Sequence, residues 1–124
     1  MLVKDFSRMS TYKLADFGNA VQLASPKAKF SYEFGTHGYI APEILKGQAC
    51  NCAADIYSLG ATIYMLLTAR LPFEDEDYEK MCKKVKEEPL NLMENPFTAS
   101  LSESAKNLLS GMLEKDPSRR LTVD

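Results

Sequence analysis

Histidine occurs once in this chain, tryptophan not at all, and cysteine three times. With no Ser or Cys arranged around it, His37 is not expected to act in catalysis. Cys50, Cys52 and Cys82 are an odd set without metal-site spacing. Cys50-Asn51-Cys52 could form half of a metal or redox site, but no second Cys or His pair stands near to complete it. Reduced structural thiols in a cytosolic or nuclear protein are the simpler expectation. No excess of one charge sign is present: 15 basic residues stand against 17 acidic ones, net −2. That removes the electrostatic case for nucleic acid or an anionic membrane surface. The first residues, Met-Leu-Val-Lys-Asp-Phe-Ser, carry an acid at once and do not read as a signal peptide. The longest apolar stretch, Ile56 to Leu67, is broken by Ser58, Gly60 and Thr62. It falls short of the about 20 residues that span a bilayer. Internal repeats and low-complexity segments are lacking too.

The 124 residues suffice for one domain with a real core, and the apolar fraction of 45% and charged fraction of 26% are ordinary. Leu2-Val3 and Tyr12-Lys13-Leu14-Ala15 read as two short strands joined by a polar turn, Ser7 to Thr11. Residues 19–40 keep no period and read as a long loop of the functional or disordered kind. From Pro42 the pattern turns helical. Glu43 to Lys46 forms one turn, stopped by Gly47. Ala53 to Thr68 is apolar nearly all round, which predicts a helix buried on every side. Leu71-Pro72-Phe73 breaks it. Tyr78, Met81, Cys82 and Val85 fall on one helical face, with Glu74 to Asp77 at its start and Lys83, Lys84 and Lys86 at its end, as the helix dipole favours. Ala105, Leu108, Leu109, Met112 and Leu113 repeat that face, with Ser102 as N-cap. Asp116-Pro117 ends that helix, and Arg119 to Asp124 would begin another. The expected architecture is mainly α: a strand pair, a long loop and a helical bundle.

Three motifs occur in order. Lys13-Leu14-Ala15-Asp16-Phe17-Gly18 is strand, acid, turn. Gly35-Thr36-His37-Gly38-Tyr39-Ile40-Ala41-Pro42-Glu43 follows, then Asp55-Ile56-Tyr57-Ser58-Leu59-Gly60. Together they resemble the C-terminal lobe of a eukaryotic serine/threonine protein kinase. Leu67 to Phe73 resembles the calmodulin-dependent-like group in particular, and Asp116-Pro117-Ser118-Arg119-Arg120-Leu121-Thr122 is similar to the family's Asp-Pro-x-x-Arg-x-Thr. The resemblance implies a partial kinase domain over 1–124, with an activation segment at 16–43 and a helical lobe at 44–124. It implies that Asp16, with Phe17 and Gly18, forms the nucleotide site, Asp16 holding Mg²⁺ against ATP phosphates while charge develops on the leaving γ-phosphoryl group. Phe17 would pack inward. Gly35, Thr36, His37, Gly38 and Tyr39 would shape the substrate platform. Glu43 would pair with Arg119 in a buried ion pair, Arg120 being the rival partner. Asp55 would accept backbone hydrogen bonds from a catalytic loop. Tyr57 stands where many members have Trp. Ser25, Ser31, Tyr32 and Thr36 are candidate phosphosites, since a phosphate can order a loop through Arg or Lys.

No Gly-rich phosphate loop, no Val-Ala-Ile-Lys-like strand and no His-Arg-Asp catalytic loop occurs among these residues. The resemblance therefore implies that the N-lobe and catalytic loop are absent, the general base belonging upstream of Met1. The parent reaction is ATP-dependent phosphorylation of protein Ser or Thr, and this chain alone is expected neither to catalyse it nor to bind ATP and Mg²⁺ well. Met1 would be an internal methionine of a longer kinase. The expected partners are protein substrates or the missing N-terminal lobe, without nucleic acid or membrane, in the cytoplasm or nucleus. The alternative is a non-catalytic, pseudokinase-like module that binds protein through the helices at 77–86 and 102–115. Uncovered, Ile56, Leu59, Ile63 and Leu66 would each forgo roughly 1.5–3 kcal/mol of burial. Against a net stability of about 5–15 kcal/mol, that predicts a marginal, aggregation-prone or partner-dependent chain.

Overall fold

A computed structural model describes residues 2–3, 12–25, 28–31, 35–93 and 95–123, with side chains from residue 13 onward. The polar turn expected at Ser7 to Thr11, and Tyr32, lie outside the described residues. Leu2–Val3 (β1) pairs antiparallel with Tyr12–Lys13 (β2), Leu2 opposite Lys13 and Val3 opposite Tyr12. Four helices follow among the described residues: α1 (Pro42–Leu45), α2 (Ala53–Thr68), α3 (Tyr78–Glu87) and α4 (Glu103–Met112).

Local chemistry accounts for each boundary. Pro42 opens α1, where its missing N–H costs nothing. Asn51 Oδ1 accepts from Ala53 N at 2.9 Å at the start of α2, and Ala69, in the left-handed conformation, ends that helix. Asp77 caps α3 by accepting from the amides of Glu79 and Lys80 at 2.8 and 3.2 Å. Ser102 caps α4 through Ala105 N, as its position predicts. Leu113 caps the other end, three residues before Asp116, and the described residues up to 123 form turns and extended chain where a further helix was expected.

α2 and α4 pack closely, because Gly60 faces Met112 and Leu113 with no side chain between. Tyr57, Ala61 and Tyr64 of α2 join Val85, Leu109, Leu113 and Ala41 in the core. Yet α2 is not buried on every side. Leu59, Met65, Leu66 and Leu67 are exposed, Leu66 by 67%. Its all-round apolarity reflects two faces, of which the described residues cover one. The segment before α1 is open as well: Leu14, Phe17 and Val21 are exposed, and Phe30 is tied down by a two-way backbone bridge to Cys50.

Candidate functional site

The segment from Gly35 to Glu43 is the best-anchored part of the three motifs. Its end is the most buried: Ala41 is inaccessible, and the Glu43 carboxylate sits with its residue 2% exposed. A buried carboxylate needs a hydrogen-bonded countercharge. Arg120 supplies it, with Nη1 donating to Oε1 at 2.7 Å and Nη2 to Oε2 at 2.8 Å. This corrects the expected partner. Arg119 reaches outward, three-quarters exposed, and meets Glu114 at 3.6 Å. The signal was in the motif itself, since Asp-Pro-x-x-Arg counted from Asp116 falls on residue 120. Arg120 uses every donor it has. Nε donates to Glu114 O at 2.8 Å, Nη1 also to Ala53 O at 2.8 Å, and Nη2 also to Lys115 O at 3.4 Å. All five N–H groups of the guanidinium are thereby engaged. One side chain joins the end of the loop, the start of α2 and the turn after α4.

Beneath the guanidinium lies Tyr57, its ring centroid 5.2 Å from Arg120 Cζ. Tyr57 is 1% exposed, and its hydroxyl has no hydrogen-bond partner among the described residues. Burial pushes that hydroxyl's pKa well up from its ordinary value. The tyrosine that stands where many family members have Trp thus brings a polar atom with no partner among the described residues into the core, which sequence reasoning missed.

Upstream of Ala41, the Ser58 hydroxyl of α2 donates to Tyr39 O at 2.8 Å and lies 3.1 Å from Ala54 O. The turn closes with Tyr39 N donating to Thr36 O at 3.1 Å. Gly38 takes φ +85°, and a Cβ there would stand 2.5 Å from Leu71 Cδ1. Both facts demand glycine, so Leu71 presses directly on the turn. Gly35, Thr36 and His37 are exposed; the His37 ring packs on Tyr78 at the start of α3, centroids 4.2 Å apart and tilted by 34°. The five residues at 35–39 are therefore brought together as one turn held from below by α2 and from the side by Leu71 and α3.

The other expected site residues are less organised. Asp16 is exposed and adopts φ +66°, and Gly18 N lies 3.4 Å from its Oδ1. Phe17, expected to pack inward, is 68% exposed; no described side chain offers it a pocket. Asp55 is exposed on the first turn of α2, Ser25 and Ser31 are exposed loop residues, and Cys50, Cys52 and Cys82 are free thiols. Among the described residues no group of three His, Cys, Asp or Glu side chains is placed to hold a metal ion, and no helix is long and apolar enough to cross a membrane.

A cluster around Lys115 went unforeseen. Lys115 Nζ lies 3.7 Å over the Phe73 ring and donates to Lys84 O at 3.1 Å and Val85 O at 2.5 Å, capping the end of α3. Burial pushes this amine down to about 8.

Comparison with known proteins fits this arrangement. The protein kinase domain family matches residues 2–124. A probable serine/threonine-protein kinase of Zea mays, CCRP1, is 39% identical over 113 residues, which is 90% of this chain and 18% of that protein. The serine/threonine-protein kinase YPK1 of Saccharomyces cerevisiae is 40% identical over 108 residues, 87% of this chain and 15% of that protein. The chain thus spans less than a fifth of either relative's length. With its whole described length inside the family match and its Glu43–Arg120 closure joining two of the family's motifs, the chain belongs to the protein kinase domain family.

Proposed function

We propose that this chain is the substrate-facing part of a serine/threonine protein kinase domain whose parent reaction transfers the ATP γ-phosphate to a Ser or Thr hydroxyl of a protein. The observation that carries the reading is the turn at residues 35–39, held on Ser58, Leu71 and the Glu43–Arg120 pair. A fixed, exposed backbone turn suits a peptide platform because orientation, rather than covalent chemistry, dominates phosphoryl transfer. Thr36 and His37 face solvent there and would meet the peptide. Asp16 offers one exposed carboxylate. That fits the way Mg²⁺ is held, by one or two carboxylates together with substrate phosphates. When bound, Mg²⁺ would neutralise phosphate charge. The chain's own contribution would be the exposed Asp16 carboxylate.

The general base, the phosphate-binding Lys and the Gly-rich loop do not occur among the 124 residues. The proposal therefore assigns catalysis to a domain in which those parts are supplied, in the cytoplasm or nucleus, with protein substrates as partners. The calmodulin-dependent-like subgroup rests on Leu67 to Phe73 alone. A second reading, a non-catalytic protein-binding module, is favoured by the exposed Leu59, Leu66 and Leu67 face of α2. Titration of the 124-residue chain with Mg-ATP, and a Ser/Thr peptide phosphorylation assay on the product of the native transcript, separate the two. Peptide phosphorylation lost on Asp16→Asn supports the kinase reading. Protein binding without nucleotide binding or phosphorylation in either form supports the module.

A further inference from the structure

α2 carries aliphatic hydroxyls on Ser58, Thr62 and Thr68. A hydroxyl inside a helix commonly turns back to the carbonyl four residues earlier. Thr62 does so, donating to Ser58 O at 2.9 Å, and Thr68 does so, donating to Tyr64 O at 2.8 Å. Ser58 departs from that habit. Ala54 O stands 3.1 Å from its hydroxyl, but Tyr39 O, 19 positions away in the chain, stands closer at 2.8 Å. A serine hydroxyl has one hydrogen to give, and the two carbonyls need it unequally. Ala54 O already receives the helical N–H of Ser58. Tyr39 O has no other donor among the described residues, and no other side chain among them hydrogen-bonds to residues 35–39.

We propose that Ser58 is a positioning residue for the peptide substrate: its hydroxyl fixes the direction of the Tyr39 carbonyl and so sets peptide KM, without touching the nucleotide or the transferred phosphate. The proposal rests on the platform reading of residues 35–39. Three restraints of different kinds act on that turn. Ala41 is buried and fixes its exit. Leu71 presses on Gly38 and limits how far the turn can move, but a steric contact leaves a peptide plane free to rotate. Ser58 supplies direction. Its bond holds the Tyr39–Ile40 peptide plane from α2, while the amide on the other side of the same residue closes onto Thr36 O at 3.1 Å. Without the hydroxyl, the Tyr39 carbonyl turns to water. The backbone groups from Thr36 to Gly38, which would meet the peptide, then lose their fixed orientation. That loss falls on binding. An interaction that serves bound peptide and transition state alike changes KM and leaves kcat in place.

The test compares Ser58→Thr with Ser58→Val, two side chains of one shape of which only the first keeps the hydroxyl. Ser58→Ala repeats the loss without added bulk. Thr62→Val is the control, because it removes a hydroxyl that bonds only within α2. Hydrogen exchange of the Tyr39 amide is followed in the 124-residue chain, and steady-state peptide phosphorylation in the product of the native transcript. In Ser58→Val and Ser58→Ala the Tyr39 amide is expected to exchange about 2- to 10-fold faster than in Ser58→Thr, the range that one hydrogen bond supports. Peptide KM rises by a similar factor, with kcat and the KM for ATP unmoved, and Thr62→Val matches the parent in both readouts. Equal exchange and equal peptide KM in Ser58→Thr and Ser58→Val overturn the proposal. So does a KM for ATP that rises with that for peptide, or a Thr62→Val variant that behaves like Ser58→Val. Where the parent phosphorylates no peptide, the platform reading fails, and the Tyr39 amide alone still upholds or overturns the role of Ser58 in fixing the turn.

Discussion

Arg119 and Arg120 are adjacent, of one type, and placed in opposite environments, so truncating each to alanine is a controlled comparison. Arg120→Ala strips the buried Glu43 carboxylate of its countercharge and two donors, and it leaves Ala53 O, Glu114 O and Lys115 O each short of one hydrogen bond. Breaking a buried pair from one side costs about 3–5 kcal/mol. Arg119→Ala removes a 3.6 Å contact from an exposed side chain, which is worth about 0–1 kcal/mol. Urea unfolding followed by circular dichroism reads the difference. With a slope of about 1.5 kcal/mol per molar urea, a loss of about 4 kcal/mol moves the midpoint by about 2.7 M. Where that exceeds the parent's own midpoint, Arg120→Ala is unfolded in buffer. Glu43→Gln, which keeps the shape and one acceptor, then serves as the gentler probe. The double variant Glu43→Met/Arg120→Met sharpens the reasoning. Replacing a buried pair with apolar side chains is often neutral or stabilising. Here three backbone carbonyls would still lose their donor, at about 1–3 kcal/mol for each left dry, so the double variant is expected to stay less stable than the parent. Equal midpoints for Arg119→Ala and Arg120→Ala, or a double variant more stable than the parent, would refute the argument.

Lys115 gives a pH test. Burial has pushed its amine down to about 8 from 10.5, so between those values the unfolded chain holds a proton that the folded chain has released. Stability should therefore rise with pH from about 8 to 9.5, below the range in which the buried tyrosines oppose it, and Lys115→Met should flatten the rise in melting temperature. Gly60→Ala would place a Cβ 2.8 Å from Met112 Cβ. Overpacking costs about 1–3 kcal/mol against a helix-propensity gain of about 1, so a net loss of about 1 kcal/mol is expected in thermal unfolding. Leu66→Lys on the open face of α2 should reduce self-association in sedimentation velocity and leave the melting temperature within a degree or two, because a 67% exposed leucine contributes little burial. Asp77→Ala should cost about 1 kcal/mol through loss of the α3 cap.

Elements whose signals are local were legible in the sequence. The bounds of α2 follow from Leu71-Pro72-Phe73 behind it and the helical pattern within it, and Ser102 marks α4 through a cap that spans three residues. What depends on distant partners was not legible. The apolarity of α2 says that both faces avoid water, yet not which of them this chain can cover. The exposure of Phe17 and Leu14 follows from the lack of a covering layer, which no local pattern encodes. The choice of Arg120 over Arg119 is a matter of one residue in register, and only counting from Asp116 separates them. Stacking of His37 on Tyr78 joins residues 41 positions apart, and the amphipathic pattern of α3 assigned Tyr78 to the buried face. Placement at the helix start leaves it at the rim, next to the turn.

The Glu43–Arg120 closure also has a history in time. The two residues are 77 positions apart. On a ribosome adding about 5–20 residues per second, Glu43 emerges roughly 4–15 s before its partner does. During that interval its carboxylate cannot be buried at acceptable cost, so Ala41-Pro42-Glu43 must wait in water while α2 and α3 emerge. Closing a 77-residue loop costs about 4 kcal/mol of chain entropy beyond a constant, which further favours late formation. The turn at 35–39 would thus take its final shape only after residue 120 has left the exit tunnel, and a nascent chain halted before that point would hold its helices with an unfinished binding surface.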